Sequence, residues 1–426
     1  MIYTHDAFEK EKTITFPLIL LSIYLFIEYA RPVFLMSVHP GIILQGLLAL
    51  MLIKNVDQVK IILHDNYFRL YLLLLAEMLI LGFIATNNYW ALQYFIMMIT
   101  YLIIGISFCL FINTFQKMKA LLIILIMILG FCAIVRFLIG KQYFGSGFMG
   151  DSNDFALAMN TIAPLSFFMG LAYTGKKRFA LWIMTVLFII ATAGTMSRGG
   201  FIGLVSVAFF CSWKLRGKFK SFIILVLAVV AFANFIPQQF KEEIISIKEE
   251  GAEKGTGRDR IELWKIAWRA YVNNPILGVG QGNIPFRLAD YQYDKEGNSF
   301  WQRDIGGRVV HSIYVTVLAE LGIVGTVIWL LMIRNFYQKY RSGLRILIEN
   351  AGFRIAGSEI TFLHNMMIGL FISLLGYLIS GAFLSAFYYP QFWHLSALMT
   401  AMYLICEKAK DNIFVIPNEQ LTDITK

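Results

Sequence analysis

Three residues far apart in the chain have side chains and settings suited to chemistry on an anion. Arg198 lies in Thr195-Met196-Ser197-Arg198-Gly199-Gly200 between two apolar runs. Arg260 opens a helical pattern that continues through Trp264, Trp268 and Tyr271 and stops at Asn273-Asn274-Pro275. His311 stands at the head of another apolar run, in Val309-Val310-His311-Ser312-Ile313. A guanidinium presents a planar fork of donors to a phosphate or carboxylate, and an imidazole accepts a hydroxyl proton near neutral pH. At about 100° per residue, Arg260 shares a helix face with Trp264, Ala267, Trp268 and Tyr271, whereas Arg258, Glu262, Lys265 and Arg269 share the opposite one. Arg260 is therefore expected to face the protein at a helix start, where free backbone N–H groups also suit an anion such as pyrophosphate. On spacing alone a structural salt bridge would serve Arg260 equally, and Arg198 could snorkel from a helix end to lipid phosphate.

Other polar residues are secondary candidates. In Gly150-Asp151-Ser152-Asn153-Asp154, an aspartate or the asparagine can cap the following helix, and Asn153 and Asp154 are also candidate substrate contacts. Arg287 and Arg308 are two further candidate contacts. Glu320 follows His311 by nine residues, which places it on the opposite helix face and about 14 Å deeper, so it reads as structural.

The elements that must position these groups are membrane helices. Of 426 residues, 58% are hydrophobic and only 15% charged, too few charges to coat a water-facing surface. About 20 apolar residues cross a bilayer. Roughly twelve such runs can be marked, near 14–30, 33–53, 67–86, 90–112, 118–139, 154–173, 179–196, 199–213, 221–236, 310–333, 361–386 and 390–406. The expected fold is all-α and polytopic, with one large, partly helical extracytoplasmic loop. Lys and Arg collect in alternate connections (Lys54, Lys60 and Arg69; Lys176, Lys177 and Arg178; Lys214 to Lys220; Arg334 to Arg345), which puts both termini in the cytoplasm. The organisation expected is a transmembrane bundle over 1–236, the outer loop over 237–309, further transmembrane helices over 310–406 and a cytoplasmic tail over 407–426. Arg198, Arg260 and His311 then all lie toward the outer face. The run 199–213 gives roughly 22 Å of helix, so its Arg198 end should be sunk below the surface, where an ionisable residue is a functional candidate. Within the loop, 238–250 reads as an amphipathic surface helix.

Several chemistries are excluded. The net charge of +10 is scattered between apolar runs and not gathered on one soluble face, which argues against nucleic acid. Cys109, Cys132, Cys211 and Cys406 sit in apolar context with neither disulfide nor zinc spacing, and no His/Cys/carboxylate pattern suggests any metal. Gly278-Val279-Gly280-Gln281-Gly282 lacks the strand and helix of a dinucleotide-binding unit. The N-terminal apolar run has no small-residue cleavage site and reads as a retained span.

Four pieces together resemble the O-antigen ligase and O-antigen polymerase superfamily of polytopic glycosyltransferases. They are Asn153-Asp154-Phe155-Ala156 with Ala163-Pro164-Leu165; Ser197-Arg198-Gly199-Gly200; Arg260-Ile261-Glu262-Leu263-Trp264 through Pro275-Ile276-Leu277-Gly278-Val279-Gly280; and His311 through Leu318-Ala319-Glu320-Leu321-Gly322. The His-Asn pair usual in the superfamily reads His311-Ser312 here. The resemblance implies transfer of a glycan from undecaprenyl pyrophosphate to an acceptor hydroxyl at the outer leaflet of the bacterial cytoplasmic membrane, with inversion and without a nucleotide, metal or other cofactor. Arg198 and Arg260 would bind the pyrophosphate and stabilise it as leaving group, and His311 would orient or deprotonate the acceptor. The acceptor could be lipid A-core or another surface molecule in a ligase, a growing glycan in a repeat-unit polymerase, or a protein in an O-oligosaccharyltransferase. A lipid-linked oligosaccharide flippase is the alternative from another class, and it predicts polar residues along a cavity through the whole membrane.

Overall fold

In the computed structural model, residues 13–32, 40–144, 149–215, 256–294, 296–301, 305–349 and 357–414 are described. They are helical, with no strand among them. The helices are α1 (Phe16–Ala30), α2 (Pro40–Lys54), α3 (Val56–Leu63), α4 (Asn66–Ile84), α5 (Asn88–Phe111), α6 (Phe115–Leu138), α7 (Ser152–Leu171), α8 (Gly175–Ala193), α9 (Arg198–Lys214), α10 (Thr256–Asn273), α11 (Ile313–Glu349), α12 (Gly357–Gly381) and α13 (Pro390–Phe414). Six of these, α4 to α7, α11 and α12, are long and apolar enough to cross a membrane, and α2 with α3 makes a seventh if that bent pair is one span. The expected runs at 221–236 and 238–250 lie outside the described residues.

Two helices depart from the apolar runs. The run ending at residue 53 is followed, across Asn55, by α3 at a bend of 96°. The run expected to stop near residue 333 continues as α11 to Glu349, so the basic residues after it form helix instead of a loop. Its Lys339 is buried and donates to Asp65 and, at 2.9 Å, to Thr400 Oγ1, which is why a cationic stretch remains helical against the bundle.

The helices that carry the candidate residues pack closely. Asn160 of α7 is fully buried and donates to the Gly200 carbonyl of α9 (2.8 Å) and Ser380 Oγ of α12 (3.1 Å), while Thr192 of α8 donates to its Oδ1 (3.3 Å). One amide thus ties four helices, a use of polar groups that apolar surroundings reward by about 1 kcal/mol per bond. Gly200 permits the approach, since a Cβ there would sit 2.5 Å from that of Ala156.

α11 is broken at Gly322, whose backbone lies at φ 61° and ψ −160°. The segment 275–284 fills the break. Val279 and Gly280 N–H groups donate to the carbonyls of Ala319 and Glu320 (both 2.9 Å), and the Ile323 and Val324 N–H groups donate to the carbonyls of Pro275 (2.9 Å) and Ile276 (3.3 Å). Backbone groups freed by the break therefore regain partners from the inserted chain, the condition for an interrupted helix in apolar surroundings. The Glu320 carboxylate accepts from the Gly282 N–H (2.8 Å), the Ile284 N–H (3.3 Å) and the Tyr388 hydroxyl (2.7 Å). Gln281 donates to the carbonyls of Met78 (2.7 Å) and Ala91 (3.2 Å), which anchors the insert to α4 and α5. Above this wedge, Leu263, Ile266, Ala267 and Ala270 of α10 form a small separate core with Val279, Ile284, Leu288, Trp301 and Val310.

Gly322→Ala should destabilise the fold by about 2 kcal/mol or more, because alanine pays for the left-handed backbone and its Cβ would collide with the Ile276 carbonyl. Thermal unfolding of the detergent-solubilised protein, followed by size exclusion, reads the loss.

Candidate active site

The start of α9 is held against the start of α7. Ser197 caps α9 by accepting from the Gly200 N–H (2.9 Å), and its hydroxyl bonds Asn153 Oδ1 at 2.6 Å. Arg198 is thereby fixed one residue from the junction, half-buried. On the α7 side, Asp151 caps the helix by accepting from the N–H groups of Asn153 (2.7 Å) and Asp154 (3.4 Å). Tyr389, just before α13, donates to Asp154 Oδ2 at 2.7 Å. Arg136 of α6 clamps the preceding turn: its guanidinium donates to the carbonyls of Met149 (2.9 Å) and Gly150 (3.3 Å) and to Ser152 Oγ (3.0 Å), and lies 4.5 Å from the Phe155 ring centroid.

α10 and His311 are joined in the same way. Trp264 Nε1 donates to the carbonyl of Val310 at 2.8 Å, so α10, which carries Arg260 one turn earlier, is tied to the residue preceding His311. The His311 N–H donates to Ser385 Oγ (3.0 Å), and Thr316 Oγ1 bonds that hydroxyl at 3.1 Å. His311 has φ 53°, and Met196, two residues before Arg198, has φ 55°. For side chains with a Cβ such backbone costs about 1–3 kcal/mol, and it persists only where neighbours impose it.

The electrostatics follow from this packing. Arg260 is half-buried and holds its proton less tightly than a free arginine, first through desolvation and then through the positive charge of Arg198, while the Asp151 carboxylate opposes both. His311 is pushed below the ordinary histidine range by burial and by Arg260, again against Asp151. Arg198, Arg260 and His311, separated by 62 and 51 residues in sequence, therefore act on one another in a chain through Arg260. Two cations beside a neutral imidazole at a half-buried position can hold a dianionic ligand and accept a proton from a second one.

The other candidates are placed elsewhere or held differently. Asn153 and Asp154 bond Ser197 and Tyr389, at the edge of the cluster. Arg287 pairs with Asp290 and donates to Thr86 Oγ1 (3.1 Å) and the Tyr291 hydroxyl (2.9 Å). Arg308 pairs with Asp259 at 3.8 Å and lies over Trp301. The buried stripe of α10 is rotated from the one expected: it is made of Leu263, Ile266, Ala267 and Ala270, Trp268 is 56% exposed, and Arg260 sits at the stripe's edge. Arg258 covers the Phe300 ring at 4.7 Å and Arg269 donates to the carbonyls of Tyr291 and Gln292 (both 2.8 Å), so neither simply faces solvent. The small residues Ala267 and Ala270 allow the closer approach and win the buried side from the indole of Trp268. Sequence reasoning did not single out Arg136, Ser385 or Tyr389; only Arg136, a cation at the end of an apolar run, left a signal.

Residues 183–330 match the family described as O-Antigen ligase, a segment that holds Arg198, Arg260, His311 and the wedge at Gly322. The match supports an O-antigen ligase-type segment, in a chain whose described residues include six helices long and apolar enough to cross a membrane. No curated protein matches the chain.

Arg260→Gln should raise the proton affinity of His311, since the cation that disfavours imidazolium is removed while Asp151 remains. NMR titration of histidine ring carbons in the purified protein checks the direction, with His311→Gln assigning the resonance.

Proposed function

We propose that the protein transfers a preassembled glycan from undecaprenyl pyrophosphate to an acceptor hydroxyl, on lipid A-core or another cell-surface molecule, at the outer face of the cytoplasmic membrane. The carrying observation is the mutual electrostatic reach of Arg260 with Arg198 and with His311 inside the segment that matches the O-antigen ligase family. Under this reading the chain crosses the membrane roughly twelve times, keeps both termini in the cytoplasm and turns the 237–309 loop outward.

In the reaction, the acceptor oxygen attacks the anomeric carbon opposite the pyrophosphate. The new C–O bond forms as the bond to the pyrophosphate oxygen breaks, and that oxygen keeps the electron pair. Negative charge growing on the leaving group meets Arg198 and Arg260, whose mutual repulsion is relieved most when that charge is greatest. The acceptor proton passes to the imidazole of His311, which burial and Arg260 keep neutral and able to accept it. Undecaprenyl pyrophosphate leaves, and His311 returns its proton to solvent. Neither a nucleotide sugar nor a metal ion enters these steps.

Arg198→Ala and Arg260→Ala should each lower transfer by at least about 10²–10³-fold while the protein stays folded and inserted. Arg258→Ala, which removes a cation stacked over Phe300, should cost far less. The assay incubates purified protein with a lipid-linked glycan and candidate acceptors in detergent, with EDTA and without nucleotide. Equal losses for all three arginines, or no product with any acceptor, would overturn the reading.

A further inference from the structure

We propose that Asn153 is a contact for the lipid-linked donor: its side-chain NH2 group donates a hydrogen bond to a pyrophosphate oxygen held beside Arg198. The inference rests on the functional reading above and adds to that site a neutral hydrogen-bond donor from α7.

The hydrogen-bond directions where α7 meets α9 fix the amide. Ser197 Oγ accepts from the Gly200 N–H at 2.9 Å, and a hydroxyl has one proton to give. Among the described residues the acceptor of that proton is Asn153 Oδ1 at 2.6 Å, a separation short for an amide N–H donor and ordinary for a hydroxyl. The carbonyl end of Asn153 is therefore occupied by Ser197, and its NH2 end has no partner among the described residues. Asn153 is half-buried, and the residue it bonds stands immediately before Arg198, itself half-buried. The amide is also held still. Asp151 Oδ1 accepts from the Asn153 N–H at 2.7 Å, and Arg136 holds the carbonyls of Met149 and Gly150 and the hydroxyl of Ser152, the residue just before Asn153. Asp154, the next residue, is buried and accepts from Tyr389, so of this polar pair it is Asn153 that keeps an unused donor.

A neutral donor suits this position. Two guanidinium groups already repel each other there, and a third cation would add to that repulsion. An amide NH2 gives an anionic oxygen another hydrogen bond without another charge, and bonds of that kind change binding by about 10-fold to 100-fold. Because the Ser197 bond sets which end of the amide is presented, the donor is oriented before the ligand arrives and little reorganisation remains.

The test uses Asn153→Asp, whose carboxylate still accepts from Ser197 but has no NH2 to donate. The double swap Asn153→Asp with Asp151→Asn is its charge-matched companion: net charge is unchanged, and asparagine remains a good helix cap. Binding of undecaprenyl pyrophosphate is measured on the full-length protein in detergent, with EDTA and without acceptor, using material that elutes as folded protein in size exclusion. Both variants should bind about 10-fold or more weakly than wild type. In the transfer assay the loss should fall on KM for the donor, with kcat changed far less. Wild-type binding by the double swap would overturn the proposal, as would a loss confined to kcat, and either result leaves the transferase reading standing. A wild-type protein that does not bind undecaprenyl pyrophosphate would sink both.

Discussion

Like charges held together out of bulk water repel strongly, and the cluster at the head of α7, α9 and α11 is built around that difficulty. Arg260 feels Arg198 and in turn depresses the proton affinity of His311, while a carboxylate at Asp151 offsets part of the excess. The three groups are only half-buried, so water screens much of this repulsion and what remains is a cost that the surrounding packing carries. An anion entering such a site would relieve the repulsion. That is the physical meaning of electrostatic preorganisation: the donors are already in place, so little reorganisation is left for the step in which charge develops.

The holding is done by unusually specific polar joints in an apolar bundle. Asn160 knits α7, α8, α9 and α12 beneath the site, and Ser197 closes the gap between α7 and α9 at its rim. On the other side, α10 owes its position to the wedge of residues 275–284 that enters the break in α11. Once Gly322 interrupts the helix, the carbonyls of Ala319 and Glu320 and the N–H groups of Ile323 and Val324 need partners, and the wedge supplies all four. Glu320 then fastens the end of the wedge through two backbone N–H groups and Tyr388. The glycines of this segment therefore serve close backbone packing, and Glu320 serves architecture.

Of the three non-glycine residues with positive φ among the described residues, two flank the candidate site and the third is Arg31 at the end of α1. Met196 and His311 both take left-handed backbone without being glycine, and each lies within two residues of, or is itself, a candidate catalytic group. His311 is kept there by the Ser385 hydroxyl on its N–H and by the indole of Trp264 on the preceding carbonyl. Strain of this sort is tolerated because many weaker contacts over-determine the position, and here they hold the backbone that carries the imidazole.

Long apolar runs and their punctuation determined the all-helical class and most helix positions, because crossing apolar surroundings leaves the backbone one local way to satisfy itself. The same local logic marked Arg198 and His311, conspicuous at the ends of apolar runs, and Arg260, which opens a helical pattern within the polar loop. It could not find the 96° bend after α2, the continuation of α11 to Glu349 or the rotation of the buried stripe on α10, which depend on what each helix packs against. The helix cap in 150–154 was legible, but the roles of Arg136, Asn160 and Ser385 were not, because a cation, amide or hydroxyl looks the same in sequence whether or not a distant helix meets it. Tertiary structure alone decided those meetings: electrostatic and hydrogen-bond energies depend on separation in space, and here the partners are brought together from as many as 220 positions apart.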